Sequence, residues 1–238
     1  MKGGHAIRGI VGPRWATWGR IAMRGLGYPN WGNLRRVTPF SATFGFDRGT
    51  PIDRYYVDAF MSGQRPAITG RVLEIQTNGY TTRFGVDVTV SHTLDIRAEF
   101  SPTYLCDLAL ANGVVPTASY DCFLLPNTLP FIRDLEPALH QARRIVRPGG
   151  TILATVPCLV PLTGDVADYW RLSADGWRVL AARVWPGCHI EVTAYGNVLT
   201  AAAAMYGITV EELTPAELDA DDPRYPVLVT IACRTVVD

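Results

Sequence analysis

Ala142-Arg143-Arg144-Ile145-Val146-Arg147-Pro148-Gly149-Gly150-Thr151-Ile152-Leu153-Ala154-Thr155-Val156-Pro157 reads as the end of a helix, a sharp stop and a strand. Asp134 stands as the cap of that helix. Its apolar positions, Leu135, Ala138, Leu139, Ala142, Ile145 and Val146, recur at the spacing of one helical face. Pro148-Gly149-Gly150 stops it, because proline cannot donate into the ladder and glycine accepts the left-handed turn at a helix end. Residues 151–156 are then apolar and β-branched, the composition of a buried strand.

On the N-terminal side, residues 71–75 form a short apolar strand that runs into the polar turn Gln76-Thr77-Asn78-Gly79. Further strands are expected at 92–96, at 103–106 ending on Asp107, and at 122–125. On the C-terminal side they are expected at 189–194 and 227–233, separated by an Ala-rich helix and an acidic helix. A helix at 174–182 follows the fifth strand. Another precedes the first, opened by Thr50-Pro51-Ile52-Asp53: a capping hydroxyl, proline at the first position and an early carboxylate. Ile52, Tyr55, Tyr56, Ala59 and Phe60 share one face of it, and it ends near Gly63. Strands joined by crossover helices imply an α/β fold with a mostly parallel sheet, covered on both faces.

Composition narrows the function. The 238 residues suit one α/β domain, expected over 50–238 behind an irregular N-terminal extension at 1–49. The Trp residues of that extension are expected to pack on the body or on a partner subunit, which admits a homodimer. With 22 basic and 22 acidic side chains there is no field to hold a polyanion, so nucleic acid is not expected as a partner. The five cysteines are odd in number and lack any C-x-x-C, which argues against a disulfide framework or a zinc site and for a cytoplasmic setting. No apolar run approaches 18 residues and no signal peptide is recognised, so no membrane role is expected. The acidic run from Glu211 to Asp222 reads as a solvated helix with its caps, and no metal is expected.

In an open α/β sheet, ligands bind beyond the carboxyl ends of the strands. Glu74, Asp95, Asp107 and Pro126-Asn127-Thr128 all fall at such ends. Asp95 lies 21 positions after Glu74, a spacing suited to a carboxylate that accepts from ribose hydroxyls. Asp168-Tyr169-Trp170-Arg171 follows the loop after the fifth strand, where an aromatic pair and an arginine would orient a substrate.

Val72-Leu73-Glu74-Ile75, Asp95, Asp107-Leu108, Tyr120-Asp121-Cys122-Phe123-Leu124-Leu125 and the 142–157 run resemble successive motifs of class I S-adenosylmethionine-dependent methyltransferases. The resemblance spans about 50–235 and is closest to the small-molecule branch called methyltransferase type 11. It implies a Rossmann-like seven-stranded sheet with an antiparallel last strand. It also implies S-adenosylmethionine as cofactor, S-adenosylhomocysteine as product and a small-molecule substrate, in bacterial specialised or glycan metabolism. By position, Glu74, Gln76, Asn78 and Gly79 would line the methionine moiety. Asp95 would take the ribose, Asp107 and Leu108 would border adenine, and Asn127, Arg54 and Tyr56 would complete the cofactor contacts. Tyr55, Tyr169, Trp170, Arg171 and Tyr195 would face the substrate.

Two departures accompany the resemblance. The glycines usual in the first turn are replaced by Gln76, Asn78 and Tyr80, with Asn78 expected to take the left-handed angles. The stretch Thr128-Leu129-Pro130-Phe131 has no titratable group where many relatives carry a histidine base, so no catalytic residue is assigned. These departures keep two alternatives open: an enzyme of the same fold repurposed for a cyclisation or rearrangement, and a non-catalytic partner subunit. A nicotinamide dehydrogenase is disfavoured, since the first turn lacks G-x-G-x-x-G.

Overall fold

The structure, a computed structural model, describes residues 30–162, 164 and 166–236. The chain divides into two units, Met1–Thr38 and Pro39–Asp238. The described part of the first carries one 3-10 turn, Gly32–Leu34. Trp15 and Trp18, part of the expected Trp-rich packing, lie outside the described residues. The second unit begins at Pro39, eleven residues before the expected position 50.

That unit is built on seven strands: β1 (Gly70–Ile75), β2 (Val88–Asp95), β3 (Tyr104–Leu105), β4 (Tyr120–Pro126), β5 (Val146–Pro157), β6 (His189–Tyr195) and β7 (Leu228–Arg234). Their order in the sheet is β3-β2-β1-β4-β5-β7-β6. The first five pair parallel, and β7 lies antiparallel between β5 and β6. The helices are α1 (Ile52–Gly63), α2 (Gly79–Phe84), α3 (Leu135–Ile145), α4 (Ala174–Val184), α5 (Val198–Tyr206) and α6 (Pro215–Asp219).

Alternation along the strands divides the core. Leu73, Phe123, Leu125, Ile152 and Ala154 face α3 and α4, while Val72, Cys122, Leu124 and Leu153 face α1 and α5. Successive side chains of a strand point to opposite faces, so the continuous apolar runs of β4 and β5 supply both layers.

Three local expectations change. Thr50 does not cap α1. Pro51 holds the N-cap position with extended angles and bridges Thr209, and the Thr50 hydroxyl turns to Glu211 Oε1 at 2.6 Å. The bridge to Thr209 holds the chain extended here, and the hydroxyl goes to Glu211 in place of the helix amides. Asp134 holds the N-cap position of α3, but its carboxylate pairs with Arg133 and makes no cap bond. Finally, α3 ends at Ile145, so Pro148-Gly149-Gly150 stops nothing. Those residues lie inside β5, where Gly149 takes φ +79° and its amide donates to the Thr235 carbonyl at 3.1 Å.

Candidate functional site

The sheet order reverses between β1 and β4, with β2 and β3 on one side and β5, β7 and β6 on the other. Loops leaving adjacent strands to opposite sides open a crevice at that point. A cavity of about 780 Å³ lies there. It is lined by the ends of β1, β2, β4 and β5, Asp107 and Leu108 after β3, the first turn of α1, the loop after β5, and Phe44 and Phe46 from the segment before α1.

Glu74 is almost fully buried at the end of β1 and lines the cavity. Its carboxylate accepts from the Tyr80 amide (3.0 Å), the Thr81 amide (2.8 Å) and the Thr81 hydroxyl (2.7 Å). Burial pushes its carboxyl above the usual carboxylate range, against the pull of these donors. Glu74 therefore ties the first turn of α2 to β1. Between them, Gln76 takes the left-handed angle, φ +69°, and lines the cavity. Asn78, expected to take that angle, has φ −96° and does not line it; neither does Gly79, the first residue of α2.

Asp95 ends β2, is 8% exposed and lines the cavity. Its Oδ1 accepts from the Arg97 amide at 2.7 Å, and its Oδ2 has no hydrogen bond among the described residues. Asp107 and the buried Leu108 line the same side, Asp107 Oδ1 accepting from the Ala109 amide at 2.8 Å. Arg54 lines the cavity from α1. Its Nη1 donates to the Tyr80 hydroxyl at 3.3 Å, and its guanidinium lies 5.9 Å from the centre of the Phe46 ring.

Asn127 follows β4 with φ +47°, an angle that asparagine tolerates better than most residues. Its Nδ2 donates to Asp53 Oδ2 at 2.9 Å, and its Oδ1 accepts from the Thr155 hydroxyl at 2.8 Å. Its backbone amide donates to the Thr155 carbonyl at 2.8 Å. A chain of hydrogen bonds thus runs from β5 through the β4 loop to α1.

On the far side, Tyr169 and Arg171 line the cavity. Arg171 forks onto both oxygens of Asp168, and its Nη1 also reaches the Pro157 carbonyl at 3.3 Å. Its charge is spent holding the loop after β5 in place. Besides Asn78 and Gly79, four more expected residues stand outside the lining. Tyr55 donates to Asp219, and Tyr56 is buried with its hydroxyl on the Leu218 carbonyl at 3.0 Å. Trp170 Nε1 donates to the Ile132 carbonyl at 2.8 Å, making it an anchor for the loop. Tyr195 stacks on Tyr56 with ring centres 6.0 Å apart. The insertion of β7 between β5 and β6 carries the end of β6 away from the switch point.

The sequence reading missed Asp53, Phe44 and Phe46 as lining residues. Asp53 was legible only as an early helix charge. The two aromatics sit in a segment without periodicity, placed by contacts with distant residues: the Phe40 amide on the Tyr206 carbonyl (2.8 Å), Arg48 on Glu212, and Thr50 on Glu211. Within the acidic C-terminal run, Glu212 and Glu217 also close their own caps, on Thr209 and Thr214. Among the described residues no group of three or more His, Cys, Asp or Glu is placed to hold a metal, and no helix is long and apolar enough to cross a membrane.

No family model matches the chain, and no curated protein matches it in sequence. Solved structures do match in fold. An S-adenosylmethionine-dependent methyltransferase from Mesorhizobium loti is similar with a TM-score of 0.53 at 14% identity, over 77% of this chain and 99% of that one. One from Archaeoglobus fulgidus gives 0.52 at 12%, over 76% and 94%. The [4+2]-cyclase SpnF gives 0.50 at 11%, over 80% and 85%. The fold is the Rossmann-like fold of the S-adenosylmethionine-dependent methyltransferases, with its seven-stranded sheet and antiparallel β7.

Proposed function

We propose that the protein is an S-adenosylmethionine-dependent methyltransferase acting on a small molecule. Asp95 is the observation that carries this reading: a nearly buried carboxylate at the end of β2, with one oxygen fixed by Arg97 and the other uncommitted, as a pair of ribose hydroxyls requires. The rest of the site fits the same group. Leu108 and Ile96 offer an apolar border for adenine, and Arg54 offers a guanidinium for the amino-acid carboxylate. Gln76 and Thr77, between β1 and the α2 turn that Glu74 holds, bound the methionine end. When bound, the cofactor supplies an electrophilic methyl group on a sulfonium. The chain's own part is to hold an acceptor in line and keep water away, which the apolar walls and the loop pinned by Trp170 and Arg171 provide.

Gln76, placed where relatives have glycine, supports a second reading in which the same scaffold runs a reaction other than methyl transfer. Calorimetry with S-adenosylmethionine and S-adenosylhomocysteine tests the first. Binding of both is expected, with Asp95→Ala weakening each by about ten-fold or more, the loss of hydrogen bonds to a charged acceptor. No binding by the wild-type chain overturns the proposal. Binding without a methylated product from any acceptor points to the second reading.

A further inference from the structure

Asp53 is a cavity carboxylate that the cofactor reading leaves without a task. It lies in the first turn of α1, lines the cavity, and its side chain is 13% exposed. Asn127, itself fixed by Thr155, holds Oδ2 at 2.9 Å. Arg54 Nε stands 3.8 Å from that same oxygen, beyond hydrogen-bond reach. Oδ1 makes no hydrogen bond among the described residues. The result is a carboxylate locked in orientation with one oxygen to offer, at the end of β4 beside the switch point.

The other carboxylates of the cavity have other tasks or surroundings: Asp95 faces the ribose in the reading above, and Asp107 and Asp134 are exposed to solvent. Glu74 serves α2, Asp168 is chelated by Arg171, Asp107 caps its own turn, and Asp134 pairs with Arg133. Arg97 sits between Asp95 and Glu99, at 3.7 and 3.5 Å. Among the described residues the lining carries six carboxylates against four guanidiniums, and each guanidinium stands beside an acid: Arg54 at Asp53, Arg97 at Asp95, Arg133 at Asp134 and Arg171 at Asp168. An anionic acceptor would meet Asp53 with no counter-charge of its own. The remaining walls are apolar: Phe44, Phe46, Phe131, Ile132, Val160 and Pro161.

We infer that the acceptor is an apolar, uncharged or cationic small molecule that presents an O–H or N–H to Asp53, and that Asp53 receives its proton. This rests on the methyl-transfer reading above. The acceptor's proton passes to Asp53 Oδ1 while its oxygen or nitrogen lone pair forms the new bond to the methyl carbon. The broken C–S pair stays on sulfur, which becomes a neutral thioether. A carboxylate and a sulfonium are thereby replaced by a carboxylic acid and a thioether, so charge balances without another reactant.

The test uses the full chain saturated with S-adenosylhomocysteine. It is titrated by calorimetry with matched hydroxy-, amino- and carboxy-substituted benzenes, naphthalenes and indoles. The hydroxy and amino members of at least one ring series are expected to bind about ten-fold or more tightly than the carboxylate. Asp53→Asn, isosteric and still able to pair with Asn127, is expected to remove that preference. It should also cut kcat for any probe methylated and leave S-adenosylhomocysteine affinity unchanged. Equal binding of carboxylate and hydroxyl probes overturns the inference, as does a preference that survives in Asp53→Asn or the failure of every probe to bind. If the wild-type chain does not bind S-adenosylhomocysteine at all, the methyltransferase reading and this inference fall together. Intact cofactor binding with no discrimination removes this inference alone.

Discussion

Gln76 holds φ +69° at the point where the chain leaves β1 for α2. A left-handed angle costs a non-glycine residue about 1 kcal/mol or more, because Cβ crowds the following carbonyl. Gln76→Gly is therefore expected to raise stability by about 0.5–1 kcal/mol in urea unfolding, the strain relieved exceeding the added freedom of the unfolded chain. If its side chain only narrows the cofactor end of the cavity, S-adenosylhomocysteine will bind the variant more tightly in calorimetry. Weaker binding would show instead that the Gln76 amide contacts the ligand. Asn127 presents the reverse case: its own left-handed angle suits an asparagine, and the turn places its amide between Asp53 and Thr155.

At the scale of the element, Pro148-Gly149-Gly150 lies inside β5, close against β4. A Cβ at position 150 would lie 2.7 Å from the Asp121 carbonyl oxygen of β4 and 2.6 Å from Val146 Cγ1. The backbone oxygen belongs to a central strand and cannot move aside. Gly150→Ala should cost about 1–3 kcal/mol by overpacking, read as a lower urea midpoint at unchanged slope. An undiminished midpoint would mean that β4 and β5 are free to separate at this end. Element identity was well marked by apolar periodicity, as α3 and β5 show. Function within an element was less so. Thr50-Pro51-Ile52-Asp53 spells a helix start, yet Glu211, distant in sequence, takes the Thr50 hydroxyl that the local pattern assigns to the helix.

Across the whole molecule, the segment at 39–50 is held by carboxylates whose titration sets its acid stability. The Thr50 hydroxyl and amide hold Glu211 down to about 2. Arg48 and Thr209 lower Glu212, and Ser41 and Thr43 lower Asp47. Each folded value lies below the unfolded one, so the stability they contribute is present above the ordinary carboxylate range and is lost as pH falls through the lowered values. Glu74, raised by burial, has the opposite sign, its contribution being lost as pH rises through its folded value. The urea midpoint should fall from about pH 5 to about pH 2, and Glu211→Gln should make that fall shallower. An equal slope in the variant would show that Glu211 does not anchor the segment.

The sequence by itself determined the alternation of strands and helices, the parallel character of the sheet and the acidic residues at the strand ends. Those properties are local: they depend on apolar period, turn chemistry and the run lengths of neighbouring residues. Glu74, Asp95, Asp107 and Asn127 were legible for that reason, each ending or following a recognisable strand. The tertiary structure alone decided which of the other side chains share the cavity. Inserting β7 between β5 and β6 removed Tyr195, and packing α1 against α5 and α6 turned Tyr55 and Tyr56 away. Contacts across more than 160 positions brought in Phe44 and Phe46, and a hydrogen bond between residues 74 positions apart fixed Asp53. A cavity formed by loops far apart in the chain depends on sheet order, which no window of neighbouring residues contains.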